Sequence, residues 1–294
     1  MVESLCDTQG VHMSMIHKDC STIDIKAIAF DFDGTLLNPN KELTPKTLEA
    51  VELLKERGIS IILATGRSYR AMLPLQQQLK THTPSINYNG AAVYDVTTGV
   101  AIHEVLLEEE IARKIIAYGR EYGLHTHGFR HERLLFEVET PEITNYQNHV
   151  KFSGTKVDFD SYDSLEMTKM MYISDDKKTI AHIASLLEAE FGQRIQHCYS
   201  LSTYYEMTDG SVNKGRALSM VLEEIKVDQA QSMSFGDGHN DLPMLLFSEI
   251  GVVMANASEE VRKQTAYTAL SNTEDGVAHF LDDFFKLQLF ETKL

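Results

Sequence analysis

The stretch Ile25-Lys-Ala-Ile-Ala-Phe-Asp-Phe-Asp-Gly-Thr-Leu-Leu37 constrains this chain more than any other: a short apolar run ends in two aspartates and a glycine. The run Lys26 to Phe30 is too short for a helix and lacks strict alternation, as expected of a strand buried on both faces of a parallel sheet. Its carboxyl end is then the edge at which such sheets place their sites. Side chains alternate along a strand, so Asp31 and Asp33 are expected to face one cavity while Phe30 and Phe32 pack elsewhere. Two carboxylates this close repel unless a cation or a shared proton intervenes, so the pair implies Mg²⁺, an acid/base role for one member, or both. An Asp-Gly turn after a buried strand is the plain structural alternative, and this stretch alone does not separate the two.

The same rhythm recurs on either side of a different middle. Thr44-Pro45 starts a helix whose Leu48, Val51, Leu53 and Leu54 share a face, and Gly58 ends it. Ile59 to Leu63 then forms a second buried strand, ending at Thr65-Gly66-Arg67, where a small hydroxyl and a free N–H suit phosphate oxygens as well as a tight turn. Ser68 to Lys80 looks helical, with Pro74 either kinking that helix or delaying its start. Asn89-Gly90, between Ser85–Tyr88 and Ala91–Tyr94, marks a hairpin or turn. Farther on come a Lys214–Ile225 helix, a Ser232–Phe235 strand ending at Gly236-Asp237, an Ile250–Met254 strand and a Gly276–Phe285 helix. Between these, helices at Glu108–Arg120 and Lys177–Phe191 separate strands at His125–Phe129, Leu134–Val138, Thr168–Ile173, Ile195–Tyr199 and Thr203–Met207, which suggests an α+β layer. The expected domains are an N-terminal extension over residues 1–24, a core over 25–95 and 208–294, and a cap over 96–207.

In order along the chain, Asp31-Phe-Asp-Gly-Thr-Leu36, Ala64-Thr-Gly-Arg67, Lys214-Gly215 and Gly236-Asp-Gly-His-Asn-Asp241 resemble the four motifs of the haloacid dehalogenase superfamily. Asn87-Tyr-Asn-Gly-Ala91 and Glu274-Asp-Gly-Val277 further resemble its Cof-type branch, class IIB, whose members are mostly Mg²⁺-dependent phosphatases of small phosphorylated metabolites. The resemblance runs from about Lys26 to Asp283, the middle third matching in layout more than in motif. It implies an α/β fold: a doubly wound, Rossmann-like parallel-sheet core with an inserted α+β class IIB cap. It implies Asp31 as nucleophile and Mg²⁺ ligand, Asp33 as acid/base that also offers its backbone carbonyl to the metal, and Asp237 as the remaining protein ligand. Thr65, Gly66 and Lys214 match a phosphate clamp and Asn240 a phosphate or metal-water contact. Asp241 matches a carboxylate supporting Lys214 or the metal, and Arg67 and Asn89 lie toward the substrate.

The function so implied is hydrolysis of a small phosphomonoester, a sugar phosphate among the candidates, through an aspartyl-phosphate. Asp33 argues against a dehalogenase, whereas a phosphomutase keeps both aspartates and stays open, as does a phosphometabolite-binding protein without turnover. His125, His127 and His131 invite a metal reading, but no Cys or acidic partner completes a set, so exposed strand polarity or substrate contact is expected instead.

Composition narrows the partners. A net charge of −16 over 294 residues argues against nucleic acid, whose backbone needs clustered Lys and Arg, yet one metal and one lysine suffice to reverse the sign locally for a phosphorylated metabolite. No apolar stretch approaches a membrane span. Cys6, Cys20 and Cys198 have neither metal-ligand nor disulfide spacing, and the first two dozen residues lack a signal-peptide core, so the expected compartment is the cytoplasm. Oligomeric state has no signal in the sequence.

Overall fold

The computed structural model describes residues 23–201 and 203–290. All but the last two residues of the expected extension lie outside the described residues, as do Cys6 and Cys20. The first half of the chain comprises β1 (Ala27–Phe30), α1 (Pro45–Glu56), β2 (Ser60–Leu63), α2 (Tyr69–Leu79), β3 (Ser85–Asn87), β4 (Ala92–Tyr94), β5 (Ala101–Glu104), α3 (Glu109–Tyr122), β6 (His125–Arg130), β7 (Arg133–Phe136) and α4 (Pro141–Val150). There follow β8 (Thr155–Lys156), β9 (Lys169–Ile173), α5 (Lys177–Phe191), β10 (Ile195–Leu201), β11 (Tyr204–Asp209), α6 (Lys214–Glu224), β12 (Ser232–Gly236), α7 (Leu242–Phe247), β13 (Ile250–Met254), α8 (Glu259–Arg262), β14 (Tyr267–Ala269) and α9 (Gly276–Phe285).

β1 lies between β12 and β2 in a parallel sheet of order β14-β13-β12-β1-β2. Its alternation is used on both faces. Ile28 and Phe30 join the cluster formed with α1 and α9, whereas Ala27 and Ala29 meet α6 and α7, where small side chains let the helices approach. Phe30 stacks on Phe235 with ring centroids 5.2 Å apart. The register sets Phe30 level with Phe235 and Leu63, so β1, β12 and β2 release Asp31, Asp237 and Thr65 at one edge of the sheet. Local signals place the helices: the Thr44 and Ser68 hydroxyls accept the N–H of Thr47 and Ala71 at the starts of α1 and α2. α2 begins at once after Ser68 and carries Pro74 inside it.

β3 and β4 form the expected hairpin, with Tyr88, Asn89 and Gly90 all at positive φ in its turn. A parallel bridge from Ala64 to Ile86 ties this hairpin to the end of β2. The cap sheet runs β10-β11-β9-β6-β7-β8 and is antiparallel except between β7 and β8. Met170, Tyr172, Tyr205 and Met207 face α3 and α5 in one core. By alternation, His127, Met171 and Glu206, which lie opposite one another in register, occupy the other face. On that face Phe129, Met171 and Tyr146 belong to the same apolar cluster as Phe30 and Tyr88 of the core. No helix among the described residues is long and apolar enough to cross a membrane.

Helix α4, the short strands β5, β8 and β14, and the placement of two cap histidines differ from expectation. Helix α4 was not anticipated, although Thr140-Pro141 repeats the start signal of α1; only Ile143 and Tyr146 of it are buried, a stripe too thin to register as periodicity. His125 and His127 are not exposed strand polarity: they are 7% and 0% exposed, and His125 Nε2 lies 3.1 Å from His127 Nδ1. Only His131 is at the surface, 3.7 Å from Glu104.

Burial lowers both histidines, His125 to about 4 and His127 well below its ordinary value. Protonating both would also set N–H against N–H across their shared hydrogen bond. The unfolded chain therefore binds more protons, so stability from this pair is complete above pH ~6.5 and is lost as pH falls toward 4, by about 1.4 kcal/mol per unit per group within that window. Thermal unfolding from pH 8 to 4 should show a wild-type decline that is shallower in His127→Leu. Parallel curves would show that the pair does not govern acid stability.

Candidate active site

The centre of the site is a buried ammonium. Lys214, 0% exposed, opens α6, where the Asn213 side chain accepts the N–H of Arg216. Its Nζ lies 2.5 Å from Asp31 Oδ1 and 2.6 Å from Asp241 Oδ1. Asp241 Oδ2 in turn accepts the N–H groups of Asp237 and Gly238 at 2.9 and 2.8 Å, which shapes the loop after β12. Thr35 donates to Asp237 Oδ1 at 3.2 Å, and Asn256 donates to Asp237 Oδ2 at 3.3 Å and to the Gly34 carbonyl at 2.9 Å. A β-carbon on Gly34, at φ +91°, would meet Asp237 Oδ2 at 2.2 Å, so the turn after Asp33 and the Asp237 carboxylate can be this close only with glycine there.

The electrostatics are unbalanced. Burial, then the charge of Asp241, pushes Asp31 well above the carboxylate range against the pull of Lys214. Burial and Asp241 likewise lift Asp237 to about 6. Burial opposes the Lys214 charge, but Asp241 and Asp31 outweigh it and keep the ammonium protonated. Ligand oxygens of Asp31, Asp237 and Asp241 lie within 4.8 Å of one another. With all three ionised, one ammonium leaves two negative charges uncompensated, and the donors are all oxygen. That combination fits a hard divalent cation.

Asp33 is partly exposed, and cations other than Lys214 hold its carboxylate. Arg67 grips it with Nε to Oδ2 at 2.8 Å and Nη2 to Oδ1 at 2.7 Å, and Lys41 adds a contact of 2.7 Å. Burial alone would raise Asp33, but the hydrogen bonds and charge of Arg67, then those of Lys41, hold it at about 2. Asp31 and Asp33 thus leave β1 toward one edge but find different partners. Thr65 is buried, and its hydroxyl accepts the N–H of Arg67 at 3.2 Å.

Asn89 bridges the core to the cap: its Oδ1 accepts from Asn240 Nδ2 and its Nδ2 donates to Glu206, both at 3.0 Å. Lys169 donates to Glu206 and to the Gly66 carbonyl, also at 3.0 Å each. The polar motif residues Asp31, Asp33, Thr65, Arg67, Lys214, Asp237, Asn240 and Asp241 are therefore gathered at this edge. Sequence reasoning missed Thr35, Lys41, Asn256, Lys169 and Glu206. Asn256 was within reach, since it follows β13 at the same carboxyl edge as Asp31 and Asp237; the lysines and Glu206 gave no local sign.

The sequence pattern of the haloacid dehalogenase-like hydrolases matches residues 28–281. The chain belongs to that family. It is 29% identical over 272 residues to the 5-amino-6-(5-phospho-D-ribitylamino)uracil phosphatase YitU of Bacillus subtilis, covering 88% of this chain and 97% of the relative. A haloacid dehalogenase-like hydrolase of Bacteroides thetaiotaomicron superposes with a TM-score of 0.80 at 27% identity, over 89% of this chain and 100% of the other. A subclass IIB sugar phosphatase of the superfamily shares the fold with a TM-score of 0.78 at 21% identity, over 89% and 99% of the two chains. As a haloacid dehalogenase-like hydrolase, the chain has the doubly wound core with an inserted α+β cap of the IIB layout.

Removing Lys214 leaves Asp31 and Asp241 buried without their cation. Lys214→Met should cost about 3–5 kcal/mol, the usual consequence of breaking a buried pair. Urea unfolding of metal-free protein measures it, and a loss below about 1 kcal/mol, typical of an exposed pair, would show the ammonium to be dispensable.

Proposed function

We propose that this phosphatase hydrolyses small phosphorylated metabolites, sugar phosphates among them, with Mg²⁺ and through a phosphoaspartate on Asp31. The observation that carries this is the buried Asp31 carboxylate, fixed by Lys214 beside two further carboxylates at the edge of the sheet. The phosphorylated ribityl compound in the name of the Bacillus relative supports a small substrate of this kind. The cation would be held by Asp31, Asp237 and the backbone carbonyl of Asp33, with Asp241 close by. When bound, it offsets the repulsion between carboxylate and phosphoryl group and stabilises charge on the transferring oxygens.

Asp31 attacks phosphorus and the leaving oxygen departs with a proton from Asp33; water then cleaves the acyl phosphate while Asp33 takes a proton back. Lys214, the Thr65 hydroxyl and Gly66 hold the phosphoryl oxygens. To donate a proton Asp33 must first carry one, so the Arg67 fork has to exchange from Asp33 to the substrate. That exchange is what places Arg67 on the substrate side.

The proposed division of labour gives residues 25–95 and 208–294 the phosphoryl group and residues 96–207 the remainder of the substrate. Phosphate esters carry charge that hydrocarbon does not accept, which is consistent with a cytoplasmic location.

Inorganic phosphate release from a panel of phosphomonoesters should require Mg²⁺ and stop with EDTA; turnover undiminished in metal-free enzyme would overturn the metal assignment. Asp31→Asn should abolish turnover, and Asp33→Asn should slow it by about 10²–10⁴. Near-normal rates in either variant would remove the role assigned to that residue. Tyr204→Ala, in a ring group with Tyr146 and His149, should reorder kcat/KM across phosphorylated sugars and spare a small aryl phosphate. A uniform fall would instead assign this wall to closure.

A further inference from the structure

We propose that the cap's Lys169–Glu206 ion pair is a positioning device for the core: it sets the polarity of the Asn89–Asn240 amide chain, so that Asn240 turns its carboxamide oxygen toward the aspartate cluster. This rests on the reading of that cluster as a divalent-cation site.

A carboxamide fits its space either way round, and its partners decide which end faces where. Here the choice begins in the cap. Glu206 can only accept, taking Lys169 Nζ on Oε1 and Asn89 Nδ2 on Oε2. Asn89 must therefore aim Oδ1 the other way, where it receives Asn240 Nδ2. Asn240 has then committed its NH₂ group and presents Oδ1 on the opposite side. A β-carbon on Gly238 would lie 2.3 Å from Asn240 Oδ1 and 3.5 Å from Asp241 Oδ2, so the amide oxygen and a carboxylate oxygen of the cluster border the same point of the loop after β12. An oxygen there suits a cation or a water bound to one; an NH₂ group would oppose its charge.

The pair is otherwise hard to explain. Lys169 and Glu206 are 2% and 5% exposed, and a buried ion pair seldom stabilises more than apolar side chains of the same volume. Apolar replacements would fill the space but could not orient Asn89. Lys169 also holds the Gly66 carbonyl and lies 5.6 and 5.5 Å from the ring centres of Tyr88 and Phe129, so the device joins both halves of the site only while the cap sits on the core.

The test is Mg²⁺ binding to the full chain by titration calorimetry, beside phosphate release. Glu206→Gln keeps the shape but offers an NH₂ to Asn89, which reverses the chain; Mg²⁺ affinity should fall by roughly 10- to 100-fold, the usual effect of disturbing a ligand's supporting partner. Adding Asn89→Asp supplies an acceptor-only group at position 89 for both the introduced amide and Asn240 Nδ2, so the double variant should recover most of the affinity. Wild-type affinity in Glu206→Gln would overturn the proposal, and so would a double variant that regains thermal stability without affinity, since the pair would then be structural only. Should Glu206→Gln not fold, the double variant against wild type decides by the same criterion. A wild-type protein that binds no Mg²⁺ would instead sink the reading of the cluster itself.

Discussion

The structure depends on one buried positive charge. Lys214 separates two carboxylates that the fold forces together, and without it the loop after β12 and the end of β1 would repel each other. Bringing an ammonium to that point requires the first turn of α6 to press against its neighbours. Gly215 makes this possible, because a β-carbon there would sit 2.2 Å from the Pro243 carbonyl. The apolar packing of Ala217, Leu218, Val221 and Leu222 beneath the helix then holds the charge in place, so the site draws its geometry from the core.

The two faces of the cap sheet are built differently. Against α3 and α5 it is mainly apolar, with the Tyr172 hydroxyl donating to the Ile115 carbonyl within that core. Against the core it mixes Phe129 and Met171 with Lys169 and Glu206. At the tip between β6 and β7, Glu132 accepts the N–H groups of Tyr69 and Arg70 at 3.2 and 2.8 Å and the Tyr88 hydroxyl at 2.7 Å. A carboxylate at the start of α2 also meets the positive end of that helix. An interface with this share of hydrogen-bonded charge resembles those between domains that move. The apolar side keeps the cap whole; the polar side ties its position to the chemistry.

Most of the core was legible because its signals are local. β1, the Thr44-Pro45 start and the Asn89-Gly90 turn follow from residue types within a few positions of one another. α4 shows the limit, since its start signal was present but its buried stripe was too thin to announce it. The histidines failed for a different reason. Alternation placed His125 and His127 on one face, yet whether that face meets water or the core depends on what lies across from it.

The sequence by itself determined which groups can do chemistry and at which strand ends they emerge, because strand length, alternation and turn residues act over short range. It also determined the sign of the problem: too many carboxylates for the nearby cations. Only the tertiary structure decided the pairings, in which Lys214 takes Asp31 and Asp241, Arg67 takes Asp33, and Glu206 reaches Asn89 across 117 residues. Such contacts depend on distances of a few ångströms between elements remote in sequence. Those distances follow from sheet register and helix packing, which no short stretch of residues encodes.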